Sequence, residues 1–221
     1  MVKLKFSGNN RKMLKLSKAT GKKVYAFDLP AGWSCPAAKA CLSKADRTTG
    51  KITDGKDIKF RCYAASLEAA FPSTRALRWH NYDLLRNTSN IEKLLENSLP
   101  SGLGILRIHS SGDFFNETYL NAWISVARNH PLTIIYGYTK RLDLLARLTQ
   151  PLPGNMRLVT SAGGMYDGTN VKLPIATVVT DHNHPFPVFD VDEKSELHIL
   201  KGGGDFGLII HGTQPKGWQG L

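Results

Sequence analysis

Three cysteines, Cys35, Cys41 and Cys62, fall in the first 62 residues of a 221-residue chain, with five and then twenty residues between them. The first two sit in Trp33-Ser34-Cys35-Pro36-Ala37-Ala38-Lys39-Ala40-Cys41, the third in Arg61-Cys62-Tyr63-Ala64. Thiolates flanked by proline and small residues suit a soft metal. Three ligands leave one position open. On a tetrahedral zinc a histidine would complete a Cys₃His site; on a cubane cluster the fourth iron would stay open to a small ligand. The spacing matches no standard zinc knuckle and is equally that of three buried, inert cysteines. An odd cysteine count without an export signal argues for reduced thiols rather than a disulfide framework.

A second group of chemically capable residues follows apolar runs in the second half of the chain. Leu103–Ile108 leads into His109, Ser110, Ser111, Gly112 and Asp113, and Leu132–Tyr136 into Tyr138, Thr139, Lys140 and Arg141. Met156–Thr160 leads into Ser161, Gly163 and Gly164, Ile175–Val179 into Asp181, His182 and His184, and Phe206–Ile210 into His211 and Gly212. In a parallel α/β sheet or barrel all carboxyl strand ends lie on one face, where ligands bind. The expected rim is therefore His109, Ser111, Asp113, Tyr138, Lys140, Ser161, His182 and His211. Any one of them taken singly is as readily a turn or helix cap, Asp113 above all. Ile105, Arg107 and His109 share a face of their strand, and an inward Arg and His need partners or a solvated pocket.

The elements that must hold these residues alternate. A strand is expected at 24–29, then a surface excursion over 42–61. A helix starts at Cys62 and breaks at Pro72, a second is capped by Ser73, and a third is capped by Asn90. Beyond residue 100, strands alternate with helices at 115–127 and 141–148, which argues βα units around a parallel sheet of five to seven strands. The expected fold class is α/β: one domain, 1–221, forming a partial parallel β/α barrel. A basic, cysteine-bearing segment (1–62) and helices (63–100) would lie across a barrel-like core (101–221).

Net charge is +11, and residues 1–62 hold all of the surplus, with 15 Lys/Arg against 4 Asp/Glu. Such asymmetry points to an anionic partner, nucleic acid included, or to a solvated basic tail over residues 1–23. No apolar run approaches the roughly 18 residues of a membrane span. The basic N-terminus lacks the apolar stretch of a signal peptide, so the expected compartment is the cytoplasm.

Phe27-Asp28-Leu29-Pro30-Ala31-Gly32, then Cys35-Pro36-Ala37, Cys41 and Cys62-Tyr63-Ala64, and later Arg107-Ile108-His109-Ser110-Ser111-Gly112-Asp113-Phe114, resemble the gene-product-88-like family of phage proteins. The resemblance runs from about residue 20 to His211-Gly212. That family is similar in layout to radical-SAM enzymes, with early cysteines followed by a parallel β/α barrel. The resemblance thus implies a [4Fe–4S] cluster on Cys35, Cys41 and Cys62, a viral origin and the host cytoplasm. S-adenosylmethionine stays open as a cofactor, because cysteine gaps of five and twenty depart from the close spacing of those enzymes. His80 and His109 are the candidate histidines for the fourth cluster position.

Three functions follow as expectations. One is an iron–sulfur protein with a small-molecule ligand at the open iron, facing a barrel-mouth pocket. A second is a nucleic-acid-binding accessory protein using the basic first quarter, with Trp33, Tyr63 and Trp79 as stacking surfaces. The third is a zinc-stabilised interaction module.

Overall fold

Ile105, Leu106, Arg107 and Ile108 are buried on both faces, as a strand inside a two-sided parallel sheet must be. In the computed structural model, which describes residues 2–190 and 192–221, this strand has neighbours on either side. In chain order the elements are α1 (Arg11–Thr20), β1 (Val24–Phe27), β2 (Ser43–Ala45), β3 (Ile52–Asp54), α2 (Tyr63–Ala70), α3 (Pro72–Asn87), α4 (Ile91–Glu96) and β4 (Ile105–Ile108). There follow α5 (Glu117–Asn129), β5 (Ile134–Thr139), α6 (Leu142–Leu145), β6 (Met156–Ser161), β7 (Ile175–Val179), β8 (Val188–Phe189), α7 (Lys194–Leu200) and β9 (Phe206–Ile209).

Seven strands form one sheet in the order β1-β4-β5-β6-β7-β9-β8, every neighbouring pair parallel. The sheet curls into a half-barrel and does not close. The outer edge of β1 is blunted by Ser7, which exchanges two backbone hydrogen bonds with Ala26 at 2.9 and 2.7 Å. Gly137 lets β5 approach β4: a Cβ there would lie 2.5 Å from the Ile108 carbonyl oxygen.

Strand alternation divides the apolar residues between two cores. On the convex face Phe27, Leu106, Ile108, Ile135 and Leu158 pack under Leu120, Trp123 and Val126 of α5, with Tyr82, Leu85, Ile91 and Leu95 from α3 and α4. On the concave face Val24, Ala26, Ile105, Tyr136, Val159, Ala176 and Phe206 are covered by Met13 and Leu16 of α1 and Ile199 of α7. The helices of residues 63–100 therefore do not lie across the barrel as a group. The apolar faces of α3 and α4 bury against the convex side, while Ala64 and Ala65 of α2 pack on Ala31 in the cysteine-bearing segment.

Several local expectations need correction. The basic N-terminus is a helix, not a solvated tail. Asn10 caps α1 by accepting from the Met13 N–H at 2.9 Å, and Gly21, at φ +67°, ends it. Met13 and Leu16, three apart, put one face of this lysine-rich helix into the concave core. Residues 42–61 contain an antiparallel pair, β2 and β3, whose turn is held by Asp46 accepting from the Thr48 and Thr49 N–H groups at 3.0 and 2.7 Å. Ser73 is not a cap: Phe71 precedes the helix and Pro72, whose missing N–H needs no partner there, occupies its first turn. The two-residue β8 and the helix α7 have no counterpart in the expected element order.

Candidate functional site

Because all seven strands run in one direction, their carboxyl ends share a rim, and a cavity of about 770 Å³ opens there. Of the eight expected rim residues, His109, Ser111, Asp113, Tyr138, Lys140, Ser161 and His211 line it. His182 does not. The loop after β7 carries it outward, where it is exposed and its Nε2 lies 3.4 Å from Asp190. Cys35, Cys41, Cys62 and Tyr63 come from the segments that cover the mouth, and Lys12 and Lys15 from α1.

Asp113 does not cap the following helix; Asn116 does, accepting from the Tyr119 N–H at 2.8 Å. The Asp113 carboxylate instead ties two strand ends together. It accepts from Thr139 Oγ1 at 2.7 Å, the Lys140 N–H at 2.8 Å and the Phe114 N–H at 2.7 Å. Burial raises its pKa against these hydrogen bonds. Lys140 carries the tie to the next strand: its Nζ donates to the Ser161 carbonyl at 2.8 Å, Ser161 Oγ at 3.0 Å and the Ala162 carbonyl at 2.5 Å. Ser111 Oγ donates to the Leu29 carbonyl at 2.8 Å, fixing the β4 loop to the end of β1. Four adjacent strand ends, those of β1, β4, β5 and β6, are thus locked in register.

His109 is the only residue other than glycine with positive φ among the described residues, at +62°. The turn takes its ring out of strand alternation and packs it edge-on against Phe114, with Nε2 at 2.9 Å from the Tyr119 hydroxyl. Burial lowers its pKa to about 3, so the imidazole is neutral. Arg107, on the same strand, is buried beneath the cavity and pairs with Glu196 of α7 at 2.8 Å, while Lys12 reaches the same carboxylate oxygen at 2.6 Å. Tyr63 donates to the Ser110 carbonyl and packs against His211, ring centroids 4.4 Å apart with the planes tilted by 37°.

Sequence reasoning missed the second ionic network. Arg78 of α3 pairs with Glu68 of α2 at 2.8 Å and approaches Asp28 at 3.8 Å. Asp28 in turn accepts from Ser110 Oγ and from the Ser111 N–H at 3.1 Å. Asp28 follows a strand just as His109 does, so the strand-end rule could have found it. Glu68 and Glu196 are buried acids on helices whose cations lie elsewhere in the chain, and no local pattern marks them.

The cysteines require the main correction. All three face the cavity, but among the described residues no group of three or more Cys, His, Asp or Glu side chains is placed to hold a metal ion. That finding overturns the iron–sulfur cluster on Cys35, Cys41 and Cys62, its radical-SAM-like chemistry and the zinc alternative alike. The physical reason is local. Basic residues are frequent in this segment, but burial dominates at the thiols. It raises all three pKa values, that of Cys62 to about 11, with the neighbouring thiols pushing in the same direction at Cys35 and Cys62. Of the two candidate fourth ligands, His80 bonds to the Lys3 carbonyl at 2.9 Å away from the cavity, and His109 is held by Tyr119. The aromatic residues considered for stacking are engaged too. Trp33 and Trp79 pack at 5.7 Å with Lys44 and Arg47 over their rings, each 4.8 Å from the centroid.

The sequence profile of the family described as "Gene product 88" matches residues 3–219. The "Gene 88 protein" of Mycobacterium phage L5 is 30% identical over 184 residues, covering 73% of this chain and 69% of that protein. The protein of the same description from Mycobacterium phage D29 is 28% identical over 150 residues, covering 62% of this chain and 56% of that protein. This chain therefore spans little more than half the length of the second relative. No solved structure matches. Among the described residues no helix is long and apolar enough to cross a membrane.

Proposed function

Starting from the chain's membership of the gene product 88 family of phage proteins, we propose that it binds a small molecule in the cavity at the carboxyl ends of its parallel strands. One observation carries this reading. Side chains from the ends of β1, β4, β5, β6 and β9, together with the cysteine-bearing segment, meet around a single space of about 770 Å³. That volume lies within the range of about 300–1,000 Å³ usual for small-molecule sites, and its position is the one ligands take in parallel α/β sheets. The wall is mainly apolar, with Ala31, Ala38, Ala64, Val178 and Leu208 beside the polar strand ends, as in sites that bury most of a ligand. The Asp113–Lys140–Ser161 ties support the reading too, because they hold the rim rigid without consuming ligand energy.

Ligand-observed NMR against a panel of small metabolites tests it, with Val178→Phe as the comparison. Val178 lines the cavity from β7 and is half-buried, so a phenyl ring there occupies ligand space. Compounds that bind the natural chain and lose binding to Val178→Phe support the proposal. A panel with no binders, or binders indifferent to the substitution, contradicts it.

A further inference from the structure

Three cations at the surface lie over aromatic rings, and the rings pack on one another. Lys44 of β2 sits over Trp33 and Arg47 over Trp79, each 4.8 Å from the ring centroid, and Arg86 lies 5.4 Å from the centroid of Tyr82. The Trp33 and Trp79 centroids are 5.7 Å apart, those of Trp79 and Tyr82 5.9 Å. Trp79, Tyr82 and Arg86 recur at three and four residues, so α3 carries them in one row. Trp33 extends the row to the β2–β3 pair: its Nε1–H donates to the Ala45 carbonyl at 2.9 Å, and the Tyr82 hydroxyl donates to the Trp33 carbonyl at 3.3 Å. The rings are thus fixed, and each holds a cation in place. Lys44 and Arg86 have no carboxylate partner among the described residues, while Arg47 pairs with Asp83 at 2.6 Å. Asp46, in the adjoining turn, is occupied by the Thr48 and Thr49 N–H groups. Exposed Lys3 and Lys5 flank the row, because the Lys3 carbonyl bonds to His80 at 2.9 Å and the Lys5 backbone exchanges bonds with the Asn81 amide at 2.8 and 2.9 Å. None of these residues lines the strand-end cavity.

We infer that this row binds a single-stranded nucleic acid, independently of the strand-end cavity. A small anion would meet one or two of the cations, whereas a chain of phosphates meets the row. The ring contacts leave Trp33 and Trp79 little freedom to stack bases themselves, but they present the guanidinium of Arg47. Its side chain is 56% exposed although it lies over Trp79, so the outer plane is open, and arginine planes stack unpaired bases. Trp33, 43% exposed, adds apolar ring surface beside the charge. A single strand offers phosphates and base faces together. A duplex hides its base faces, and an acidic polypeptide has none. The positive surplus of residues 1–62 acquires a place in this reading, since Lys3, Lys5, Lys44 and Arg47 belong to it.

The test is fluorescence anisotropy of the full chain with labelled oligo-dT, oligo-rU and a duplex, each of about 20 nucleotides per strand, from about 50 to 200 mM salt. Saturable binding of the single strands is expected, tighter than that of the duplex and weakening as salt rises; the dT and rU arms tell DNA from RNA. Lys44→Ala and Arg86→Ala should each lower the slope of log affinity against log salt by about 0.7. Arg47→Lys keeps the charge and loses the plane, so it should weaken binding about fivefold or more with the slope unchanged. The pair Lys18→Ala and Lys22→Ala removes exposed charge from the far end of α1 and should leave affinity within about twofold. Thermal melts check that each variant is folded. No saturable binding of either single strand, tighter binding of the duplex, or equal losses in the α1 control overturns the inference. So does full displacement of the strand by poly-glutamate at equal charge, which marks a site for an acidic polypeptide.

Discussion

Arg107 and Glu196 form a buried ion pair at 2.8 Å between strand β4 and helix α7, on the concave side of the sheet. Lys12 of α1 closes on the same carboxylate oxygen at 2.6 Å, so one acid joins the sheet to the two helices that fill its hollow. Removing the acid leaves two cations facing each other, one of them in the interior. Glu196→Ala should therefore cost about 3–5 kcal/mol in urea unfolding, and Glu196→Gln, which keeps the shape and a hydrogen bond, should cost less. A loss below about 1 kcal/mol in Glu196→Ala would show that the pair is not buried as described.

The same acid has a pH signature. Burial opposes ionisation of Glu196, yet Arg107 and Lys12 outweigh it and hold the carboxyl below its ordinary range. A depressed carboxyl stabilises the fold fully above the unfolded-state value of about 4.3. That stability is lost as pH falls through the folded pKa. Glu196→Gln should flatten the acid limb of the stability curve in chemical unfolding measured from pH 6 downward.

His109 acts in a different window. Its folded pKa of about 3 lies below the unfolded value near 6.5, so on acidification the unfolded chain takes up a proton that the folded chain refuses. Stability is complete above about pH 6.5 and declines by up to about 1.4 kcal/mol per pH unit toward pH 3 on account of this one residue. NMR should show the His109 ring untitrated from pH 8 to pH 5. A midpoint for His109 near 6.5 would place its ring in solvent and remove it from the cavity wall.

The thiols should behave as protonated groups. Cys62, raised to about 11 by burial and its neighbours, should react with iodoacetamide in the folded chain at a rate that keeps climbing beyond pH 9. In urea the rate should level near pH 8.5, the value of a free thiol. A folded-state plateau below pH 8 would mean a stabilised thiolate.

How far the sequence discloses this arrangement depends on whether a signal is local. The strand ends are legible because apolar runs punctuated by polar tips imply a parallel sheet, and parallelism alone gathers His109, Asp113, Lys140, Ser161 and His211 on one rim. His182 obeys the same local pattern but sits in a loop that leaves the rim, a fact set by packing beyond its own strand. Helix α1 is hard to read because eight residues of its ten are not buried and its lysines mask the Met13–Leu16 pair. The cysteines mislead for a related reason. Charge along the chain suggests thiolates, whereas in the fold the desolvation of each thiol disfavours its charged form and raises its pKa. Gly112 shows what a single residue type can reveal. At φ +93°, with a Cβ position 2.7 Å from both Leu29 Cβ and Ser34 Oγ, it lets the β4 loop press on the cysteine segment. Gly112→Ala should destabilise by about 1–3 kcal/mol and loosen the mouth, read as faster hydrogen exchange at Ser34 and Ser111.

The most direct test of the central claim is a crystallographic small-molecule screen of the whole chain. The account predicts difference density for bound compounds inside the cavity, within contact of His109, Ser111 and His211, and none there in Val178→Phe crystals. Compounds found only on the outer surface, with the strand-end cavity holding solvent alone across the screen, would contradict it.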